Sequence, residues 1–108
     1  MDAPVLRWGI LGPGWIAEQF VESLQAHTRQ DVVAVGSRSL DRAQAFAARY
    51  GIPTAVGDYQ QLVDLDDVDI VYVATPHKSH LEHASMSMDA GKHVLIEKPL
   101  GLNAAQAR

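Results

Sequence analysis

Polar and apolar positions along the chain follow two rhythms. Short runs that are apolar on both faces, the mark of strands covered by helices on either side, alternate with longer segments whose apolar residues recur at helical spacing. Val5 to Leu11 is the first such run, and Gly12-Pro13-Gly14 breaks it. From about Gly14 to His27, Ile16, Phe20 and Leu24 lie four apart with Ala17 and Val21 beside them, which predicts a helix. Asp31 to Gly36 is a second strand. Ser39 then suits an N-cap and Asp41 places a negative charge in the first turn. Ala43, Phe46, Ala47 and Tyr50 follow on one helical face, and Gly51 is placed to end it. Pro53 to Val56 reads as a short third strand and Asp58 to Leu65 as a weak helix with Tyr59, Leu62 and Val63 on its apolar side. Asp69 to Ala74 is the fourth strand. Leu81, Ala84, Ser85 and Met88 mark the apolar face of another helix, stopped by Gly91, and His93 to Ile96 is the fifth strand. Asn103 and Gln106 have the spacing of a capping box that opens one more helix.

Strands alternating with helices predict a three-layer α/β/α domain around a doubly wound parallel sheet of order 3-2-1-4-5. The glycine turn adds chemistry. Gly12-Pro13-Gly14-Trp15-Ile16-Ala17 fits the pattern Gly-x-Gly-x-x-Ala after an apolar strand and before an amphipathic helix. In a Rossmann-type fold Gly12 permits the tight turn, Gly14 lets a pyrophosphate approach the backbone, and Ala17 lets the helix pack closely. The helix N-terminus then offers N–H groups to phosphate, so Trp15 and Ile16 are candidate cofactor contacts, and Pro13, set between the two glycines, is a candidate as well. No Gly-Lys-Ser/Thr follows, so this is not a P-loop.

The end of the second strand bears on which dinucleotide binds. An acid there hydrogen-bonds the adenosine ribose of NAD. Here the strand ends Gly36-Ser37-Arg38-Ser39. Arg38 can pair with a 2′-phosphate, and Ser37 and Ser39 can donate to it, which favours NADP. The alternative is that Arg38 stacks on adenine while Ser39 only caps the helix, in which case NAD is possible too.

Composition narrows the setting. The chain has 108 residues, a net charge of -4 and no run of Lys or Arg, which argues against a nucleic-acid partner. No apolar run approaches the roughly 20 residues of a membrane helix, and no signal peptide is evident. The absence of Cys fits a reducing, cytoplasmic compartment. Asp64, Asp66, Asp67 and Asp69 read as a solvated connection, lacking the glycine of a calcium loop. His77, His80 and His83 lie three apart, but no fourth ligand accompanies them, and no metal is expected.

Three pieces together carry a specific resemblance: Gly9 to Ala17, Ala74-Thr75-Pro76-His77-Lys78-Ser79-His80, and Ala90 to Leu100, which contains Glu97-Lys98-Pro99. The chain resembles the N-terminal domain of the glucose–fructose oxidoreductase / inositol dehydrogenase (Gfo/Idh/MocA) family over nearly its whole length. The resemblance implies that Lys98 is the catalytic lysine at the reacting carbinol or carbonyl oxygen, with Glu97 helping to set its position. It implies that Thr75 and Pro76 line the cofactor ribose and that His80 is the histidine of a Thr-Pro-Asn-x-x-His pattern. His77 departs from that pattern, where Asn is usual.

The sequence thus reads as the nucleotide-binding portion of an NAD(P)-dependent oxidoreductase whose parent moves a hydride to or from a sugar, a polyol or a related diol. A non-catalytic NAD(P)-binding regulatory or redox-sensing module is the alternative. A sixth strand is the natural next element. Residues 1–108 are therefore expected to be an incomplete domain of a longer enzyme, with the substrate domain absent. Such a piece is expected to be inactive alone and to self-associate through its fifth strand.

Overall fold

A computed structural model describes residues 6–28, 30–75 and 79–96. Five strands form one sheet in the order β3-β2-β1-β4-β5, with every neighbouring pair parallel: β1 (Arg7–Leu11), β2 (Asp31–Gly36), β3 (Thr54–Val56), β4 (Ile70–Val73) and β5 (His93–Ile96). The helices are α1 (Trp15–His27), α2 (Leu40–Tyr50), α3 (Tyr59–Val63) and α4 (His80–Asp89). The expected strand order and layers are those observed. Val5, Asn103 and Gln106 lie outside the described residues.

Side chains alternate across the sheet and divide the core in two. On one face Trp8, Ile10, Val32, Val35 and Tyr72 meet Ala17 and Val21 of α1 and Ala43, Phe46 and Ala47 of α2. On the other, Leu11, Ala34, Val71 and Val73 meet Leu62 and Val63 of α3, with Met86 packed against them. A register shift between Trp8 and Gly9 skips Val33 of β2, so that Val32 and Val35 fall on the same face. Phe20 of α1 stacks on Tyr72 at 3.8 Å between centroids and tilts against Trp8 at 5.2 Å. Burial of an aromatic ring of this size contributes about 1.5–3 kcal/mol. Ala17 is fully buried, so the residue whose small size the glycine motif demands is the one on which α1 seats.

Caps set where the helices begin. Ser39 accepts from the N–H of Arg42, and Asp58 accepts from that of Gln60 at 2.7 Å. Gly51, at φ 69°, closes α2 in a left-handed conformation.

Two expectations need correction. The buried face of α4 is not Leu81–Ala84–Ser85–Met88. His83, Ala84 and Ser87 are buried, whereas Leu81 is 80% and Met88 58% exposed and Ser85 is exposed too. Ser87 donates to the carbonyl of His83 at 2.9 Å, which removes the cost of burying its hydroxyl. His83, Ala84 and Ser87 therefore lie on the buried side with Met86 beside them, and Leu81 and Met88 face away. Asp69, moreover, is not merely part of a solvated connection. Both of its oxygens accept from the Arg7 guanidinium, at 3.0 and 3.1 Å, and Oδ2 also accepts from the Arg7 N–H. These bonds hold its carboxyl at about 2, and they tie the start of β1 to that of β4.

Candidate nucleotide-binding site

The carboxyl ends of β1, β2, β3 and β4 converge where open α/β sheets bind ligands. Gly12 leaves β1 at φ 94°, a conformation that glycine adopts without strain. Its N–H donates to the carbonyl of Gly36 at 2.9 Å, so the turn is anchored to the end of β2. Gly14 caps α1, and a β-carbon added to it would meet nothing within 4 Å. The backbone at Gly14 is thus approachable. The first N–H groups of any helix lack intrahelical acceptors, and those of α1 open beside this glycine. A phosphate fits such a cradle in both shape and charge. Pro13 is half-buried, while Trp15 at 69% and Ile16 at 42% are exposed on the first turn.

A cleft of about 520 Å3 opens past the end of β2. Arg38 lines it with Gly57, Asp58 and Tyr59 on one side, and Glu82, His83 and Met86 of α4 on another. Arg38 is exposed. Ser37 is buried, and its Oγ accepts from the N–H of Ser39 at 3.1 Å. Ser39 is half-buried and occupied with its cap. Of the three residues marked at this strand end, Arg38 is the one fully open to the cleft.

The fourth strand leads to a bonded cluster. Thr75 is buried, and its Oγ1 lies 2.6 Å from Nδ1 of His83. Its carbonyl accepts from Nε2 of His80 at 2.7 Å, which places the His80 proton on that nitrogen. Burial, with a further push from the Arg38 charge against an opposing pull from Glu82, lowers the His83 pKa. The ring is therefore neutral near pH 7, and its Nδ1 shares a hydrogen bond with the Thr75 hydroxyl. Tyr59 meets the same ring edge-on, 4.6 Å between centroids.

The structure thus brings the glycine turn, Thr75, His80 and the Arg38 cleft to one rim of the sheet. Pro76, His77, Glu97 and Lys98 lie outside the described residues. Sequence reasoning missed the walls of the cleft and, above all, His83. The one signal for His83 was its position three residues after His80, which puts the two histidines on neighbouring parts of one helix surface.

A doubly wound parallel sheet with a glycine turn and helix N-terminus at its ligand-binding rim defines a dinucleotide-binding domain. Residues 6–108 match the model of the Gfo/Idh/MocA oxidoreductase family, NAD-binding Rossmann fold, and the chain belongs to that family. It is 43% identical over 105 residues to trans-1,2-dihydrobenzene-1,2-diol dehydrogenase of Mus musculus, a match covering 95% of this chain and 32% of the relative. It superposes with a TM-score of 0.83 and 41% identity on a 3-ketoreductase from Actinomadura kijaniata solved with TDP-benzene and NADP, covering 90% of this chain and 31% of that one. Apo scyllo-inositol dehydrogenase from Lactobacillus casei gives a TM-score of 0.81 at 25% identity, over 94% of this chain and 31% of that one. The chain therefore spans about a third of the length of these relatives.

Proposed function

We propose that this chain is the cofactor-binding portion of an NADP-dependent oxidoreductase that acts on a sugar, a polyol or a related diol. The observation that carries the cofactor preference is Arg38. It is exposed, it lines the cleft, and it stands where an NAD-binding domain would place an acid. Asp58 shares the cleft, but its carboxylate is already committed to the N-terminus of α3. The pyrophosphate is assigned to the cradle of Gly12, Pro13, Gly14, Trp15 and Ile16, and the 2′-phosphate to Arg38 with help from Ser37 and Ser39. Thr75, Pro76, His77 and His80 are assigned to the wall beside the ribose. The NADP held by the Actinomadura reductase and the diol named for the mouse enzyme support this reading.

When bound, the nicotinamide supplies or accepts the hydride. In this reading Lys98 holds an ammonium at the substrate oxygen and stabilises negative charge there, and Glu97 orients it. Hydride transfer is assigned to the whole enzyme rather than to residues 1–108 alone. Lys98 also separates this reading from a purely regulatory nucleotide-binding module, which has no use for a cation at the reacting carbon. Titration calorimetry with NADP and with NAD tests the proposal, and the expected result is tighter binding of NADP. Equal affinities reject the phosphate role of Arg38. Binding of neither dinucleotide rejects the cofactor reading.

A further inference from the structure

We infer that His83 is a positioning residue for this nucleotide site, acting through Thr75. The inference rests on the dinucleotide reading above and goes beyond it, because His83 belongs neither to the glycine turn nor to the strand-end residues assigned there. Three contacts run in series. The ring of Tyr59 braces His83 from α3. Nδ1 of His83 and the Thr75 hydroxyl share a hydrogen bond of 2.6 Å. The methyl of Thr75 then packs against Gly12, so closely that a β-carbon on Gly12 would stand 2.9 Å from it. His80 fixes the same residue through its carbonyl. Thr75 is thereby held in one rotamer and at one height against the turn that receives the phosphates.

With the His83 proton on Nε2, the tautomer this proposal adopts, the bond also fixes the polarity of Thr75. A hydroxyl that donates its single proton to His83 has only lone pairs left for any other partner. Thr75 then presents an acceptor, which suits a sugar hydroxyl and not a phosphate oxygen. A leucine or a valine of similar bulk at these positions keeps the packing and loses this arrangement. Thr75 and His83 form a side-chain pair that joins the rim of the sheet to α4.

The test uses His83→Leu, His83→Asn, Thr75→Val and the double variant His83→Leu/Thr75→Val in the 108-residue chain. Nucleotide affinity is read by calorimetry and folding by circular dichroism and thermal unfolding. The amide oxygen of Asn stands close to the position of Nδ1 and can accept from Thr75, so His83→Asn keeps affinity within about twofold. His83→Leu and Thr75→Val each weaken NADP binding by about five- to tenfold, the loss expected from one buried hydrogen bond. The double variant is no weaker than Thr75→Val alone, because loss of the hydroxyl already removes the bond to His83. Affinity unchanged in a folded His83→Leu, losses that add in the double variant, or an Asn variant as weak as Leu each overturn the proposal. If His83→Leu does not fold, Thr75→Val and His83→Asn decide it by the same criteria. Failure of the unsubstituted chain to bind either dinucleotide sinks the cofactor reading and this proposal with it. Tight binding that survives loss of the His83 acceptor sinks the proposal alone.

Discussion

Thr75 closes the space beside Gly12: a β-carbon on the glycine would approach Cγ2 of Thr75 to 2.9 Å and the carbonyl of Ala74 to 3.2 Å. Together with the positive φ of Gly12, this predicts that Gly12→Ala destabilises the fold by about 1–3 kcal/mol, the cost of a side chain held in a sparsely populated backbone region. Gly14→Ala is the contrast. Its φ of -97° is ordinary and its surroundings are open. Stability should therefore change by no more than about 0.5 kcal/mol, while dinucleotide affinity falls because the new methyl stands in the phosphate cradle. Denaturant unfolding and calorimetry on the two variants separate the effects. Loss of stability in Gly14→Ala would contradict the open cradle.

Arg38→Ala should narrow the preference for NADP over NAD by about 1.5–3 kcal/mol, the range for a hydrogen bond to a charged group. The result should fall at the lower end, because Arg38 is exposed and water screens its charge. The residual preference should weaken further as salt rises. An unchanged ratio of the two affinities would move the 2′-phosphate elsewhere.

Acid should reduce stability in two separate windows. Burial keeps the His83 pKa below its ordinary 6.5. As pH falls below about 6.5 the unfolded chain takes up a proton that the folded chain refuses, so stability drops until the folded histidine is itself protonated. Asp69, which its bonds from Arg7 hold at about 2 against an ordinary 3.8, acts in the same direction lower down. Its contribution is present above 3.8 and disappears as pH falls towards about 2. Urea midpoints measured from pH about 8 down to about 2.5 should show both declines. His83→Asn should abolish the first and leave the second, and a first decline that persists in that variant would point to another group.

The outward-facing residues of α4 make a prediction about packing and show where the sequence misleads. Leu81→Gln should change stability by no more than about 0.5 kcal/mol, whereas Ala84→Ile, on the buried face, should cost about 1–3 kcal/mol by overpacking. The strands were legible because β1, β2 and β4 are apolar on both faces, and one covered sheet accounts for that. The face of α4 was not, because apolar bulk does not mark burial on this helix. Size and hydrogen bonding decided instead: Ala84 is small, Ser87 bonds to its own helix, and His83 bonds to Thr75.

The edge at β5 predicts association. Among the described residues β5 pairs only with β4, and Leu95 and Ile96 are 42% and 36% exposed. Unpaired backbone groups beside apolar side chains recruit another strand. Light scattering on the 108-residue chain at several concentrations should show a mass that rises with concentration. A strictly monomeric chain would refute the edge argument.

The site was legible to the degree that its chemistry is local. The glycine turn and Arg38 could be placed because each sits a fixed distance from a strand that the pattern reveals. The walls of the cleft could not, because Tyr59, Glu82 and Met86 meet Arg38 only after three separate elements have packed. Nothing in their spacing along the chain expresses that meeting. The burial of Ser37, whose hydroxyl accepts from the N–H of Ser39, was likewise not expressed in its sequence position.

The order of the strands across the sheet also has a consequence for how the molecule is made. Of the five described strands, β1 is synthesised before the others and is the central one, flanked by β2 and β4. β2 follows within a few tens of residues, but Ile70–Val73 emerges only after two further helices and β3 have been translated. Until then one full edge of β1 has no partner, and Leu11 lacks the cover that Val71 and Val73 later help to provide. Pairings of such wide sequence separation form slowly, and the waiting edge is open to other nascent chains. The strand that ends deepest in the protein is thus the one that a chaperone at the ribosome would have to shield longest.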